Sequence, residues 1–337
     1  MRKSWPILLP IGLATLLVAG SLFFIHLAQA AAPHHVLMLN TALNEGSLMV
    51  QGFHRLSARI YERSEGRLEL QVFPGGQLGS DDEVVEQLRQ GLNVAILTDG
   101  SQMGNFVPEM GLLMAPYLAE TYDDFQLIVQ SDLFAEWSEE LADDFQMRIL
   151  SFNWYDGPRH FLTNRPVRVP ADLTGVRIRT PGSPMFQESV RHMGAVPIAM
   201  PFGESYPALA QGAIDGLEVQ LTAAYASSLY EVTSYINRTG HFQMINGIVT
   251  SERWFESLPA DLQQILLEEF AREGEYTARI VLEQTDRFQD YMIASGMTVI
   301  EPDIAAFREA TEGVYDVLGL RELRDRLFAE TGLDGAN

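Results

Sequence analysis

Two arginines on one short run are the residues best placed to do chemistry. Val176-Arg177-Ile178-Arg179 alternates with period two and is halted by Pro181, the pattern of a strand that turns Val176 and Ile178 to a core and both guanidiniums to the other side. A guanidinium is a planar fork of donors that meets a carboxylate with two parallel hydrogen bonds. Arg179 is nearest the C-terminal end of this strand, where a side chain can project into a cleft, although the pattern alone leaves a plain surface arginine open as well. Other chemistries are absent. The chain has no G-x-S-x-G elbow, no H-E-x-x-H, no Walker loop, no G-x-G-x-x-G and no cysteine. His34 and His35 stand near the N-terminus, and His160, His192 and His241 lack metal-ligand spacing, so neither metal nor cofactor is expected. The acids of Ser80-Asp81-Asp82-Glu83 read as a helix capping box with two further acids in the first turn, not as catalysts.

The elements that must position these groups alternate between strand and helix, which predicts an α/β protein. Strands are expected at Val36–Leu39, Arg67–Phe73 and Val94–Leu97, the last delivering Thr98 and Asp99 to its end, where ligands collect in open sheets. Amphipathic helices are expected over Leu48–Arg63, from Ser80 to Gln90 and as one unit over Phe125–Phe145. Arg148–Trp154 reads as a strand broken by Tyr155-Asp156-Gly157-Pro158, a crossing between lobes. Beyond it come a strand at Val176–Arg179, helices at Pro184–His192 and near Tyr206–Gln211, and a strand at Ile245–Thr250 that returns to the first lobe. A long helical region from Leu258 and a short strand at Met297–Ile300 precede C-terminal helices. Two lobes result: residues 31–156 with about 245–284, and 157–244 with about 285–337. Two lobes joined by more than one strand form a hinge.

The first thirty residues carry Arg2 and Lys3, then an apolar run from Ile7 to Leu27 and the small-residue site Ala28-Gln29-Ala30. This is the order of an export signal, with cleavage expected after Ala30 and the periplasm as destination; the run is also long enough to serve as an uncleaved anchor. Without Arg2 and Lys3 the remainder has 21 basic residues against 45 acidic ones, and Lys3 is the sole lysine. So acidic a surface disfavours nucleic acid and anionic lipid as partners. It does not forbid an anionic ligand, because surface charge is screened within roughly 10 Å.

A larger set of motifs runs through the chain. Leu173-Thr174-Gly175-Val176-Arg177-Ile178-Arg179 is followed by Gly194-Ala195-Val196-Pro197, Met200-Pro201-Phe202-Gly203-Glu204, Tyr206-Pro207-Ala208-Leu209, Gly212-Ala213-Ile214-Asp215-Gly216 and Tyr230-Glu231-Val232. Upstream stand Gly66-Arg67, Phe73-Pro74, Gln77-Leu78-Gly79 and Gly157-x-Arg159, and downstream Thr239-Gly240-His241 and Trp254 to Pro259. In this order they closely resemble the DctP-like solute-binding proteins of tripartite ATP-independent periplasmic (TRAP) transporters.

The resemblance implies a two-lobed periplasmic binding protein with mixed sheets and a long C-terminal helical region. It further implies a ligand held at the lobe interface and delivery to membrane subunits driven by an ion gradient, with no ATPase. It makes Arg179 the two-pronged partner of a ligand carboxylate, Arg159 its helper at the lobe boundary and Phe202 an apolar wall of the pocket. Val219 occupies a position where the family commonly has an asparagine that helps hold the carboxylate, so either recognition here leans more on the arginines or the ligand presents a different group there, and Glu218 beside it is expected to be structural. On the first lobe Asn40, Thr98 and Asp99 are expected to read the rest of the ligand, with Trp154 a further candidate. The expected function is capture of a small organic acid without catalysis; a secreted enzyme or a ligand sensor acting on an anionic small molecule are the alternatives.

Overall fold

In the computed structural model, which describes residues 35–333, nine strands form a single mixed sheet. The export-type segment, its cleavage site and His34 lie outside the described residues. The strands are β1 (His35–Asn40), β2 (Leu68–Phe73), β3 (Val94–Asp99), β4 (Met147–Thr163), β5 (Arg177–Thr180), β6 (Val196–Ala199), β7 (Gly216–Gln220), β8 (Tyr235–Ser251) and β9 (Thr298–Ile300). Their order is β2-β1-β3-β8-β4-β7-β5-β6, with β9 also on β8. β1, β2 and β3 are parallel, as are β5, β6 and β7. The two sets are joined by the long antiparallel pair β4 and β8. Asn246 to Thr250 of β8 pair with β3, and Tyr235 to Asn237 pair with β9. Arg159 to Thr163 of β4 pair with β7.

The long pair corrects two expectations. Tyr155-Asp156-Gly157-Pro158 does not end a strand but lies inside β4 as a bulge, with register shifts on either side of it. Gly157, at φ 98°, takes a left-handed conformation that favours glycine, and Pro158 remains paired opposite Gln243. β8 likewise begins at Tyr235, ten residues before the expected Ile245. The helical stretch expected over Phe125–Phe145 is two helices, Tyr122–Val129 and Asp132–Phe145, because Ser131 caps the second by accepting from Phe134 N at 3.1 Å.

Both faces of the sheet are covered, so each strand sends alternate residues into different clusters. Leu37 and Leu39 pack with helix α1 (Leu48–Arg63) and the long helix Ala260–Ala294, whereas Ile96 packs with Val84 and Leu88 of α2 (Asp81–Arg89). Phe161 and Ile178 fill a third cluster with Val190 of α3 (Pro184–His192), while Leu162, Leu217 and Val219 fill a fourth. Helix α4 runs from Ala260 to Ala294 and carries Phe270, Ala278 and Val281 into the core beside Trp154. Arg55, Arg59 and Arg63 stand at i, i+4 spacing on one face of α1. They pair with Glu273, Glu269 and Glu268 of α4 at 2.6 to 2.8 Å. At the start of α2, Ser80 N donates to Glu83 Oε2 at 2.8 Å and Glu83 N donates to Ser80 Oγ, completing the expected capping box.

Candidate functional site

Arg179 sits near the end of β5, where its register partner on β7 is Leu217. Paired residues share a face, so Arg179 lies on the side of Leu217 and Val219, against an apolar cluster that includes Met200 and Phe202. Only 4% exposed, it donates from Nε and Nη2 to the Met200 carbonyl at 3.0 and 2.8 Å, and its guanidinium lies 5.5 Å over the Phe202 ring. Among the described residues no carboxylate comes within ion-pair distance of it. Burial pulls its pKa down to about 10; Glu218 and Asp81 act the other way from further off, and Arg159 adds to the fall. A buried cation with a carbonyl acceptor but no counter-ion is costly unless an anion joins it.

Arg159 is just as buried, yet fully engaged. On the opposite face of the sheet its Nη2 donates to Glu218 Oε1 at 2.8 Å and to the Glu218 carbonyl at 2.9 Å, and its Nε also bonds the Glu218 carboxylate. Nη1 reaches Gln220 Oε1 at 3.3 Å, and the guanidinium stacks 5.0 Å over Phe186 of α3. Burial pushes the Glu218 carboxyl up while Arg159 pulls it back. Glu218 therefore has the structural part expected of it. Gly216, two residues earlier, packs where any Cβ would come within 2.6 Å of the Leu162 carbonyl, which keeps β7 close enough to β4 for this pair to form.

Two acids of the other strand set lie within electrostatic reach of this region, Asp81 acting on Arg179 and Asp99 on Glu218. Asp81, at the start of α2, is open to water but walled in by protein. That desolvation, then Asp99, then Asp82, push its carboxyl up to about 6, and Arg179 draws it back. Asp81 and Arg179 thus feel each other's charge from opposite strand sets. Thr98 is buried at the end of β3, opposite Gly247 of β8. Asp99 follows it, but Oδ1 is occupied in capping the short helix Gly100–Met103, accepting from Ser101 N at 2.7 Å and Gln102 N at 3.3 Å.

Asn40 and Trp154 have structural partners instead. Asn40 Oδ1 accepts from Leu78 N at 3.1 Å and its Nδ2 donates to the Gly79 carbonyl at 3.4 Å, fixing the loop that leads into Ser80 and Asp81. Trp154 is wholly buried, 4.7 Å from the Phe53 ring and 6.5 Å from Phe270, with its N–H donated to Ser151 Oγ at 2.9 Å. Its ring and its single donor are both spent in the core. Arg179, Phe202 and Val219 are brought together, Thr98 and Asp99 come to the end of β3, and Arg159 stands behind with Glu218.

Two acids carry more than their local sequence signal: Asp81, which reads there only as a first-turn acid, and Asp156. The Asp156 carboxylate lies in the β4 bulge at 2% exposure and accepts from Gln220 Nε2 and Thr222 Oγ1, each at 2.8 Å. Burial pushes it up to about 6 against those two hydrogen bonds and the more distant Arg159. Its place between Tyr155 and Gly157, within a segment read as a break, was the available signal.

Residues 39–321 match the profile of DctP, the bacterial extracellular solute-binding protein family 7. The chain is 28% identical over 270 residues to the sialic acid-binding periplasmic protein SiaP of Vibrio cholerae, covering 80% of this chain and 84% of that protein. A TRAP periplasmic solute-binding protein from Ochrobacterium anthropi with bound L-fuconate superimposes with TM-score 0.85 at 30% identity, covering 88% of this chain and 99% of the other. One from Roseobacter denitrificans with bound L-galactonate gives 0.83 at 26%, covering 88% and 100%.

Proposed function

The chain belongs to the DctP family of bacterial extracellular solute-binding proteins, and we propose that it captures a small acid sugar by its carboxylate and hands it to the membrane subunits of a TRAP transporter. The observation that carries this reading is Arg179, buried over Phe202 with its carbonyl contact made and, among the described residues, no acid within ion-pair distance. A ligand carboxylate supplies the missing counter-ion as a planar partner for a planar fork. Val219 offers no donor there, so it bounds the acid with an apolar surface. Asp81 and Thr98, approaching from the other strand set, accept hydrogen bonds from the hydroxyls of a polyol chain, and a second carboxylate on the ligand would meet Asp81, Asp82 and Asp99 unfavourably.

The lobes of this reading are residues 31–156 with about 245–284, and 157–244 with about 285–337. It is supported by the antiparallel pair β4 and β8, which alone among the described strands links the two parallel sets: β8 pairs with β3 through Asn246 to Thr250, and β4 pairs with β7 through Arg159 to Thr163. The ligand closes the hinge between them. Export by the N-terminal segment, with cleavage after Ala30, delivers the protein to the periplasm, and no helix among the described residues is long and apolar enough to cross a membrane. The protein binds and does not turn its ligand over.

A thermal-shift screen of aldonates, uronates and sialic acid tests the proposal, with the corresponding neutral sugars as controls. A ligand at 100 times its Kd stabilises by about 2.7 kcal/mol. At least one acid is expected to shift the midpoint while its neutral counterpart does not; equal shifts from neutral sugars would overturn the carboxylate assignment. Prolonged incubation with the best acid should return it unchanged.

A further inference from the structure

Behind the ligand arginine lies a relay of buried groups larger than a carboxylate clamp needs. Thr222 Oγ1 and Gln220 Nε2 donate to Asp156; Gln220 Oε1 accepts from Arg159 Nη1; and Arg159 is locked on Glu218, whose charge reaches Arg179. All four charged members are at most 4% exposed. Two arginines and two acids make the set formally neutral, and a ligand carboxylate brought against Arg179 makes it one charge negative in a region shielded from water. At effective interior dielectrics of about 20, a charge 10 Å away still acts with between 1 and 2 kcal/mol.

We infer that the protein takes up a proton when it binds its acid, and that Asp156 in the β4 bulge is the group that receives it. This rests on the reading that Arg179 holds the ligand carboxylate. Of the two acids in the relay, Glu218 has a guanidinium in direct contact, whereas Asp156 is held only by a neutral amide and a hydroxyl. Once Arg159 must share its field with an additional anion, the acid without an ionic partner is the easier one to neutralise. Its surroundings supply no competing group. Arg159, with Glu218 and Arg179 beyond it, is the charge that faces it, and Tyr155 is its chain neighbour. His160 and His241 are kept neutral by burial, and α4 presents Val281 and Thr285 at Gly157. Asp81, also held at about 6 and within electrostatic reach of Arg179, is the other acid that could take up a proton, and Asp156→Asn separates the two.

The bulge gives the proton a structural meaning. Asp156 ties β4 to the end of β7 and the start of the helix Leu221–Ala226 at the place where β4 passes from one strand set to the other. Neutralising it there lets the closed, liganded form bury the relay without a net charge. Because the free carboxyl already sits at about 6, ligand that strengthens its hold on the proton about tenfold makes it take up about half a proton per ligand at pH 6.5. Affinity then weakens as pH climbs from about 6 to 8, although the ligand's own carboxylate, with a pKa near 3 to 4, is ionised throughout.

The test is calorimetry at pH 6.5 with L-fuconate, L-galactonate and D-glucuronate in phosphate, MES and imidazole buffers, whose ionisation enthalpies differ. The expected result is an apparent enthalpy that changes with buffer in the sense of proton uptake, and a Kd that rises several-fold from pH 6 to pH 8. Asp156→Asn should remove both dependences. Since that variant may pack poorly, γ-13C-aspartate NMR of the unsubstituted protein provides a second measure: one aspartate resonance should move toward its protonated position on adding ligand at pH 6.5. Binding with buffer-independent enthalpy and no such movement overturns the inference while leaving the carboxylate site intact. Uptake that persists in Asp156→Asn overturns the assignment to Asp156. Failure of every acid to bind overturns the carboxylate site, and this inference with it.

Discussion

Replacing Arg179 by lysine keeps the charge and changes only the shape of the donor, so it isolates the fork geometry on which the site depends. Burial holds the guanidinium at about 10 instead of 12.5, so the free protein carries this charge at a cost of about 3 kcal/mol. A ligand carboxylate recovers much of that cost and adds two parallel hydrogen bonds. Lysine forfeits one prong and the stacking on Phe202, and Val219 has no amide with which to compensate. Removing one partner of a buried charge pair costs about 2 to 5 kcal/mol, and the lysine exchange should cost at least about 2, or roughly thirtyfold in Kd. Arg177 is the internal control. On the same strand, it donates to Asp215 at 2.7 and 2.9 Å, and both side chains are 42% exposed, so Arg177→Lys should change Kd by less than about threefold. Titration calorimetry with the tightest acid, on variants whose melting curves match the parent, reads both numbers. If Arg179→Lys binds within threefold of the parent, the carboxylate is held elsewhere and the reasoning fails.

Three further outcomes follow from the same geometry. Saturating ligand should reduce the radius of gyration in small-angle scattering, because Arg179 and Asp81 approach from different strand sets; superimposable profiles would count against closure. Glu218→Gln should lower stability by about 3 kcal/mol, a loss of roughly 10 °C in melting temperature, since it leaves Arg159 buried without its acid; an unchanged melting point would show the pair to be dispensable. Asp156 should make the ligand-free protein less stable as pH rises. Its folded pKa, about 6, lies above the unfolded value near 3.9, so the folded state alone keeps the proton between those limits. Its contribution is therefore full below about pH 4 and is lost by about pH 6. Between roughly pH 4.5 and 7.5, urea unfolding should show Asp156→Asn gaining about 2 kcal/mol relative to the parent, and no relative gain would exclude the raised pKa.

What the sequence determined was whatever depends on neighbours a few residues apart. The alternation at Val176–Arg179 specified a strand and the faces of its side chains, the Ser80–Glu83 spacing specified a capping box, and the ordered motifs specified the family. Those signals are local, because pleat and helix periods repeat within two to four residues. The same locality misled where a distant partner decides. Tyr155-Asp156-Gly157-Pro158 has the composition of a break, yet pairing with β8, some ninety residues on, carries β4 straight through it as a bulge. Trp154 stood next to that segment and looked available, but Phe53 and Phe270 close over it. Two arginines that look alike in sequence were separated only by packing: Arg159 meets Glu218, 59 residues away, while Arg179 is buried with no carboxylate of the described residues within ion-pair distance. Desolvation and charge pairing are set by which groups the tertiary fold brings within a few ångströms, and that proximity is not written in the spacing of residues along the chain.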